Sequence, residues 1–240
     1  MSLPASRVRN QRHTQNDSHF GPWLLTAERA AVHRLTRTAV IADLHLGYSQ
    51  ARRRAGDSVP VAASAEVRQR LLRLIQRHSI GRLIVAGDLV ENDLGWQEAT
   101  ELMRFLTGSH VQVAAIIAGN HDKKANVQTN LGVPWRSVVT LRGWRIVHGD
   151  GELPPGRLVS GHFHPVLRWP GLPAAACYLV STNRLILPAF SADAAGVNVL
   201  SRREWDASVC HVVADDCVLN FGAVGFLKRR MRIAPKTLRA

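Results

Sequence analysis

Cysteine is scarce in this 240-residue chain, which holds only Cys177, Cys210 and Cys217. An odd number with no CxxC spacing excludes a disulfide framework, and the expectation is three reduced, buried small hydrophobes of a cytosolic protein. Long apolar runs are missing as well. Nothing approaches the roughly 18 residues of a membrane span, and residues 1–20 carry arginine without the apolar core of a secretory signal. A soluble, cytoplasmic protein with no membrane partner is therefore expected. Acids are the third shortage: 18 Asp and Glu stand against 31 Lys and Arg, a net charge of +13. The last 15 residues hold no acid but six bases, Lys228, Arg229, Arg230, Arg232, Lys236 and Arg239, and a second basic cluster is Arg52–Arg54. A localised excess of this sign suits contact with a phosphate backbone. A solvated tail accounts for the same charges. Internal repeats and low-complexity segments are absent.

What is present reads as one domain, since 240 residues at 46% hydrophobic content can bury one sizeable core. Polar residues 1–20 read as a disordered or loosely attached leader, 21–225 as the domain and 226–240 as a basic tail. Apolar β-branched runs at 38–43, 82–88 and 113–120 alternate with helical periodicity at 64–78 and 96–106, a βαβαβ pattern. The first helix has Ser64 as its expected N-cap. It places Val67, Leu71, Leu72, Leu74 and Ile75 on an apolar stripe, with Arg68, Arg70, Arg73 and Arg77 towards solvent. From about 138 the helical signal fades into short strand candidates, WRIVHG, RLVSGH, CYLVS, RLILPAF, VNVL and CHVVA, separated by Gly, Pro and Asp.

Five polar signatures punctuate these runs: DLHLG (43–47), GDLVEN (87–92), GNHD (119–122), HGD (148–150) and GHFHP (161–165). The first three follow apolar strand candidates, the place where ligands gather in open α/β sheets. Asp43 and His45, two apart on an extended segment, would point the same way and grip one cation. Asp88 has two oxygens, enough to bridge two cations, while Asn120, His148, His162 and His164 offer an amide oxygen and imidazole nitrogens. Mixed oxygen and nitrogen donors suit manganese, iron or zinc, and the absence of cysteine from all five signatures excludes a thiolate site. Two divalent ions held close would make a water acidic and clamp phosphate oxygens. His121, flanked by Asp122, is the candidate proton donor to a leaving alkoxide, with Asp122 expected to fix its imidazole.

The ordered set resembles the calcineurin-like metallophosphoesterase superfamily from about Thr38 to Pro165. The resemblance implies an α/β fold, a four-layer αββα sandwich of two mixed β-sheets flanked by helices, with a dimetal centre between the sheets. It implies a phosphoesterase with two divalent ions, manganese first and iron or zinc as alternatives. One ion would be held by Asp43, His45, Asp88 and His164, the other by Asp88, Asn120, His148 and His162, with His121 as the acid. Within the superfamily, DLHLG, the early GHFHP and LPAFSADAAGVNV (187–199) are most similar to bacterial ligase-associated DNA-damage-response phosphoesterases. That likeness implies a DNA nuclease or phosphodiesterase with a repair helicase and a ligase as partners. Its members usually carry Lys after DLHLG, where this chain has Tyr48. A small phosphate ester or nucleotide as substrate, with the basic tail incidental, is the alternative.

Overall fold

A computed structural model describes residues 17–59, 63–125, 131–192 and 194–233. Its first sheet has seven strands in chain order: β1 (Ser18–Phe20), β2 (Trp23–Leu25), β3 (Ala31–His33), β4 (Thr38–Ile41), β5 (Arg82–Ala86), β6 (Gln112–Ile117) and β7 (Trp135–Arg136). Pairing is antiparallel from β1 to β4 and parallel from β4 to β7. Between these strands lie α1 (Tyr48–Arg54), α2 (Ala63–His78), α3 (Gly95–Gly108) and the single turn α4 (Asn120–Lys124).

The second sheet is built from β8 (Val139–Leu141), β9 (Trp144–Val147), β10 (Arg157–Ser160), β11 (Val166–Leu167), β12 (Ala175–Ser181), β13 (Arg184–Ile186), β14 (Val209–Ala214) and β15 (Cys217–Ala223). Its spatial order is β15-β14-β12-β13-β10-β9-β8, with β11 against β12. Strand β10 runs parallel to both β9 and β13, and the remaining pairs are antiparallel. Helix α5 (Val224–Ile233) follows β15.

Side-chain alternation along the strands explains the layers. In β4 and β5, Ala39, Ile41, Leu83 and Val85 face the helices, packing with Val67, Leu71 and Leu74 of α2 and Leu102 and Leu106 of α3. Their neighbours Val40, Ala42, Ile84 and Ala86 face the other way, onto Trp144, Ile146, Val159, Tyr178 and Leu185 of the second sheet. Strand β12 repeats the device: Tyr178 and Val180 point inward, while Cys177 and Leu179 pack outward with Trp205, Val224 and Leu227. Strands apolar on both faces are buried on both faces. The molecule is thus two mixed sheets face to face with helices outside, as the resemblance implies. Tyr178 ties the sheets together, its hydroxyl donating to the carbonyl oxygens of Thr26 (2.6 Å) and Ala30 (3.1 Å).

Several expectations need correction. Residues 18–20, read as leader, form β1, and residues 224–233, mostly read as tail, form α5. Lys236 and Arg239, with the side chain of Arg232 and residues 1–16, lie outside the described residues. Helix α2 begins at Ala63, so Ser64 is inside it, and its side chain too is outside the description. Arg70 was expected in solvent, yet it is only 6% exposed, while Leu72 is 41% exposed. Arg70 ion-pairs with Glu66, donates to the carbonyl of Phe190 and lies over the Phe190 ring. The VNVL strand is instead a 3-10 turn at Val199–Ser201, because the Asn198 side chain accepts from the backbone N–H of Leu200.

Candidate metal centre

All five signatures lie just beyond the carboxyl ends of parallel strands: β4, β5 and β6 in one sheet, β9 and β10 in the other. Face-to-face packing brings those ends together. Asp43 and His45 are not on an extended segment, which corrects the reason given for their common direction. Their φ values are 57° and 48°, and Asp88 (46°), His162 (71°) and His164 (46°) share that left-handed conformation. Non-glycine residues avoid it unless the surroundings impose it, and such strain gathers at functional sites. The turn at Gly87 (φ +94°) sits so close to His148 that a Cβ there would overlap the imidazole. At Gly119 a Cβ would overlap the Asp88 carboxylate.

The seven expected ligands converge in two groups that share one atom. In the first, Nε2 of His45 lies 3.3 Å from Nε2 of His164 and 3.9 Å from Oδ2 of Asp88, and His164 Nε2 is 3.5 Å from Oδ2 of Asp43. In the second, Nε2 of His148 lies 3.4 Å from the same Asp88 Oδ2, 3.2 Å from Oδ1 of Asn120 and 3.2 Å from Nδ1 of His162. The tautomers follow from the outer contacts. His45 Nδ1 donates to Glu91 (2.8 Å) and His148 Nδ1 donates to the carbonyl of Ala86 (3.2 Å), so each Nε2 faces inward.

Acceptor atoms crowded this closely repel one another unless a cation lies among them. Asp43 is fully buried, and its Oδ1 has no hydrogen-bond partner. Backbone N–H groups steady the other oxygens, from His162 to Asp43 Oδ2 (2.9 Å) and from His121 to Asp88 Oδ1 (2.9 Å). Burial opposes charge on Asp88, yet the hydrogen bond and charge of His148 and the His121 N–H hold its carboxyl at about 2. Burial likewise opposes charge on His148, but Asp88 and Asp43 raise its pKa to about 9. Both shifts describe a pocket whose carboxylates demand positive charge. The orphaned oxygen, the inward imidazole nitrogens and the oxygen–nitrogen donor set fit two divalent ions, which would take the place of the protons on those nitrogens.

The acid and its partner are arranged differently from expectation. Asp122 does not touch the His121 ring. Its oxygens accept from the backbone N–H groups of Gly119 (2.9 Å), Val90 (3.0 Å) and Leu89 (3.2 Å), stapling the loop after β5 to the loop after β6. The carboxylate beside His121 is Glu91, whose Oε2 lies 3.3 Å from His121 Nδ1. Glu91 therefore supports both His45 and His121, and the hydrogen bond from His45 lowers its pKa against the effect of burial. The sequence reading passed over Glu91, although it stands three residues after Asp88 within GDLVEN. His121 is about a third exposed, at the mouth of the site.

Comparison with known proteins agrees with this architecture. The family model described as calcineurin-like phosphoesterase matches residues 36–180. A search of curated proteins gave no match. Among solved structures, the crystal structure of the Pseudomonas putida nuclease MPE superposes with a TM-score of 0.67 at 20% sequence identity, covering 82% of this chain and 94% of that one. At that identity the likeness concerns the fold.

Proposed function

Because the chain belongs to the calcineurin-like phosphoesterase family, whose members hydrolyse phosphate esters with two divalent metal ions, we propose that it is a phosphodiesterase acting on DNA, with manganese as its metal. The observation that carries this reading is Asp88 Oδ2, which stands 3.9 Å from His45 Nε2 and 3.4 Å from His148 Nε2 and so belongs to both donor groups. Asp43, His45, Asp88 and His164 would hold one ion, and Asp88, Asn120, His148 and His162 the other. When bound, the two ions supply an acidic water and neutralise charge on the phosphate.

The chain's own residues do the rest. Asp122 holds the loops bearing Asp88 and Asn120 in register. Glu91 faces Nδ1 of His121, leaving Nε2 to deliver a proton to the departing oxygen as the P–O bond breaks, so the products are a phosphomonoester and an alcohol. Support for a nucleic-acid substrate comes from the net charge of +13 and from Arg229 and Arg230 on α5, where Lys228 is paired with Asp206. The structural neighbour from Pseudomonas putida is itself called a nuclease. A place in DNA repair beside a helicase and a ligase, in the cytoplasm, rests on the DLHLG and GHFHP resemblance. No described helix is long and apolar enough to cross a membrane.

Manganese-loaded protein incubated with bis-p-nitrophenyl phosphate and with labelled single-stranded DNA tests the reading. Both substrates should be cleaved, and Asp88→Asn should abolish both reactions together with metal binding. Cleavage of the small diester without cleavage of DNA would instead support a small phosphate ester as substrate.

A further inference from the structure

Three clefts border the centre; one, on the His45 side, sets Arg53 beside Glu98 and Glu101, and the charges of the remaining two differ. One, about 570 Å³, touches His148 and is flanked by Lys123 and Arg136. Its lysine is already paired, Lys123 with Asp150 at 2.7 Å, and its exposed Arg136 donates to the carbonyl of the neighbouring Trp135 at 2.9 Å. The other, about 270 Å³, touches His164 and is flanked by Arg29 and Arg168, with alanines and Gly196 making up much of its wall. Among the described residues neither of these arginines has a carboxylate at ion-pair distance. Arg29 is largely buried, and burial lowers its pKa. Its hydrogen-bond partners among the described residues are carbonyl oxygens, with the charge of Glu66 favouring the guanidinium.

The placement of Arg29 is fixed rather than incidental. Its Nη1 donates to the carbonyls of Ser191 (2.9 Å) and Ala189 (3.4 Å). The same segment is bonded to the strand end that carries Asp43: Phe190 N–H donates to Ala42 (2.8 Å) and Ser191 N–H to Asp43 (3.4 Å). Arg29 is therefore held in register with the metal-binding rim through two short links. Among the described residues the Arg168 side chain, on the same cleft, makes only a long contact from Nη2 to the carbonyl of Gly196 (3.5 Å), and it is exposed. Small side chains between the two leave room for a sugar-phosphate backbone, and a paired guanidinium site matches phosphate oxygens.

We propose that the Arg29–Arg168 cleft binds a phosphate adjacent to the scissile one, so that the substrate is a polynucleotide strand continuing past the centre on the His164 side. This rests on the phosphodiesterase reading above and narrows it. A strand's neighbouring phosphate reaches the two arginines, whereas a small ester with its one phosphate at the metals does not.

Binding of fluorescein-labelled oligothymidylate, followed by anisotropy in EDTA so that nothing is cleaved, tests the proposal. Arg168→Ala should weaken binding about tenfold and flatten the plot of log K against log salt by about 0.7, the loss of one single-strand phosphate contact. Arg29→Gln should do the same. The exposed Arg104→Ala on α3 serves as the control for any surface arginine and should change binding less than twofold. Should Arg29→Gln fail to fold, Arg168→Ala alone decides. An unchanged Kd and salt slope in Arg168→Ala, or an equal loss in Arg104→Ala, overturns the subsite. Hydrolysis of bis-p-nitrophenyl phosphate by the manganese-loaded parent reports separately on the reading beneath it, and its absence overturns both.

Discussion

Two clusters of buried acids and histidines lie at different places in this fold, and only one has the features of a ligand site. The first is the metal-binding rim. The second joins the β2–β3 turn to the end of α2, where Glu28 accepts from Arg77 (2.8 Å) and from His78 (3.3 Å), with Asp17 3.9 Å from the other ring nitrogen of His78. Glu28 and Asp43 are both almost inaccessible, at 3% and 0% exposure. Glu28 has its own arginine. The ion-pair partners of Asp43 and Asp88 are all histidines. Glu28, Arg77, His78 and Asp17 do not adopt positive φ, although their neighbours Arg29 (63°) and Ser79 (51°) do, whereas five of the seven rim residues do so themselves. Asp17 also has an oxygen without a partner, but burial raises its pKa towards the neutral form. Burial of acid beside histidine is thus common to structure and function; backbone strain and a missing permanent cation separate them.

The comparison breaks most visibly at Asp43→Asn. Metal binding and turnover should fall by about 100-fold or more, because a charge leaves a preorganised set and only an amide oxygen remains in its place. Metal-free stability should hold or rise, since a buried carboxylate with no lysine or arginine beside it is replaced by a neutral amide and active sites carry such strain at the expense of stability. Thermal melting in EDTA reads this directly, and a drop as large as that of Glu28→Gln would erase the distinction between the clusters. His121→Gln comes next: metal content should persist while kcat falls about 10²- to 10⁴-fold, least for good leaving groups. Glu91→Gln should reduce kcat about 10- to 100-fold, the scale of losing an orienting partner, with metal affinity lowered through His45. Equal losses for all leaving groups would remove His121 from proton delivery.

Much of the rim was legible because polar residues interrupt apolar strands at their carboxyl ends, and β4, β5 and β6 are parallel and adjacent. The roles of Asp122 and Glu91 were not. Adjacent residues on a helical turn point about 100° apart, so Asp122, next to His121 in sequence, faces the backbone of Leu89 and Val90 instead. Glu91 acquires its position from a bridge between Leu46 and Val90 that no local spacing announces. Strands β1 to β3 are three residues each, too short to show a period of two. Arg70 reads as solvent-facing by helical phase, but the cover over it comes from Phe190, 120 residues away.

The second cluster yields the smallest effect and the one that depends on pH. Burial opposes charge on Glu28, but the hydrogen bond from His78 and the charge of Arg77 bring its carboxyl down from 4.5 to about 2. A carboxyl whose pKa is lowered on folding releases its proton more readily in the native state. Its contribution is therefore complete above about 4.5, the unfolded value, and is lost as pH falls from there towards 2. A shift of this size corresponds to about 3 kcal/mol at neutral pH. Glu28→Gln should lower the melting temperature at pH 7 by several degrees, leaving Arg77 without its partner, and should flatten the decline of stability between pH 4.5 and 2. The rim's lowered carboxyl, Asp88 at about 2, differs in cause, since His148 and a backbone N–H hold it there rather than an arginine. If the variant and the parent lose stability in parallel over that acid range, Glu28 is not the paired structural charge that sets this cluster apart from the metal-binding one.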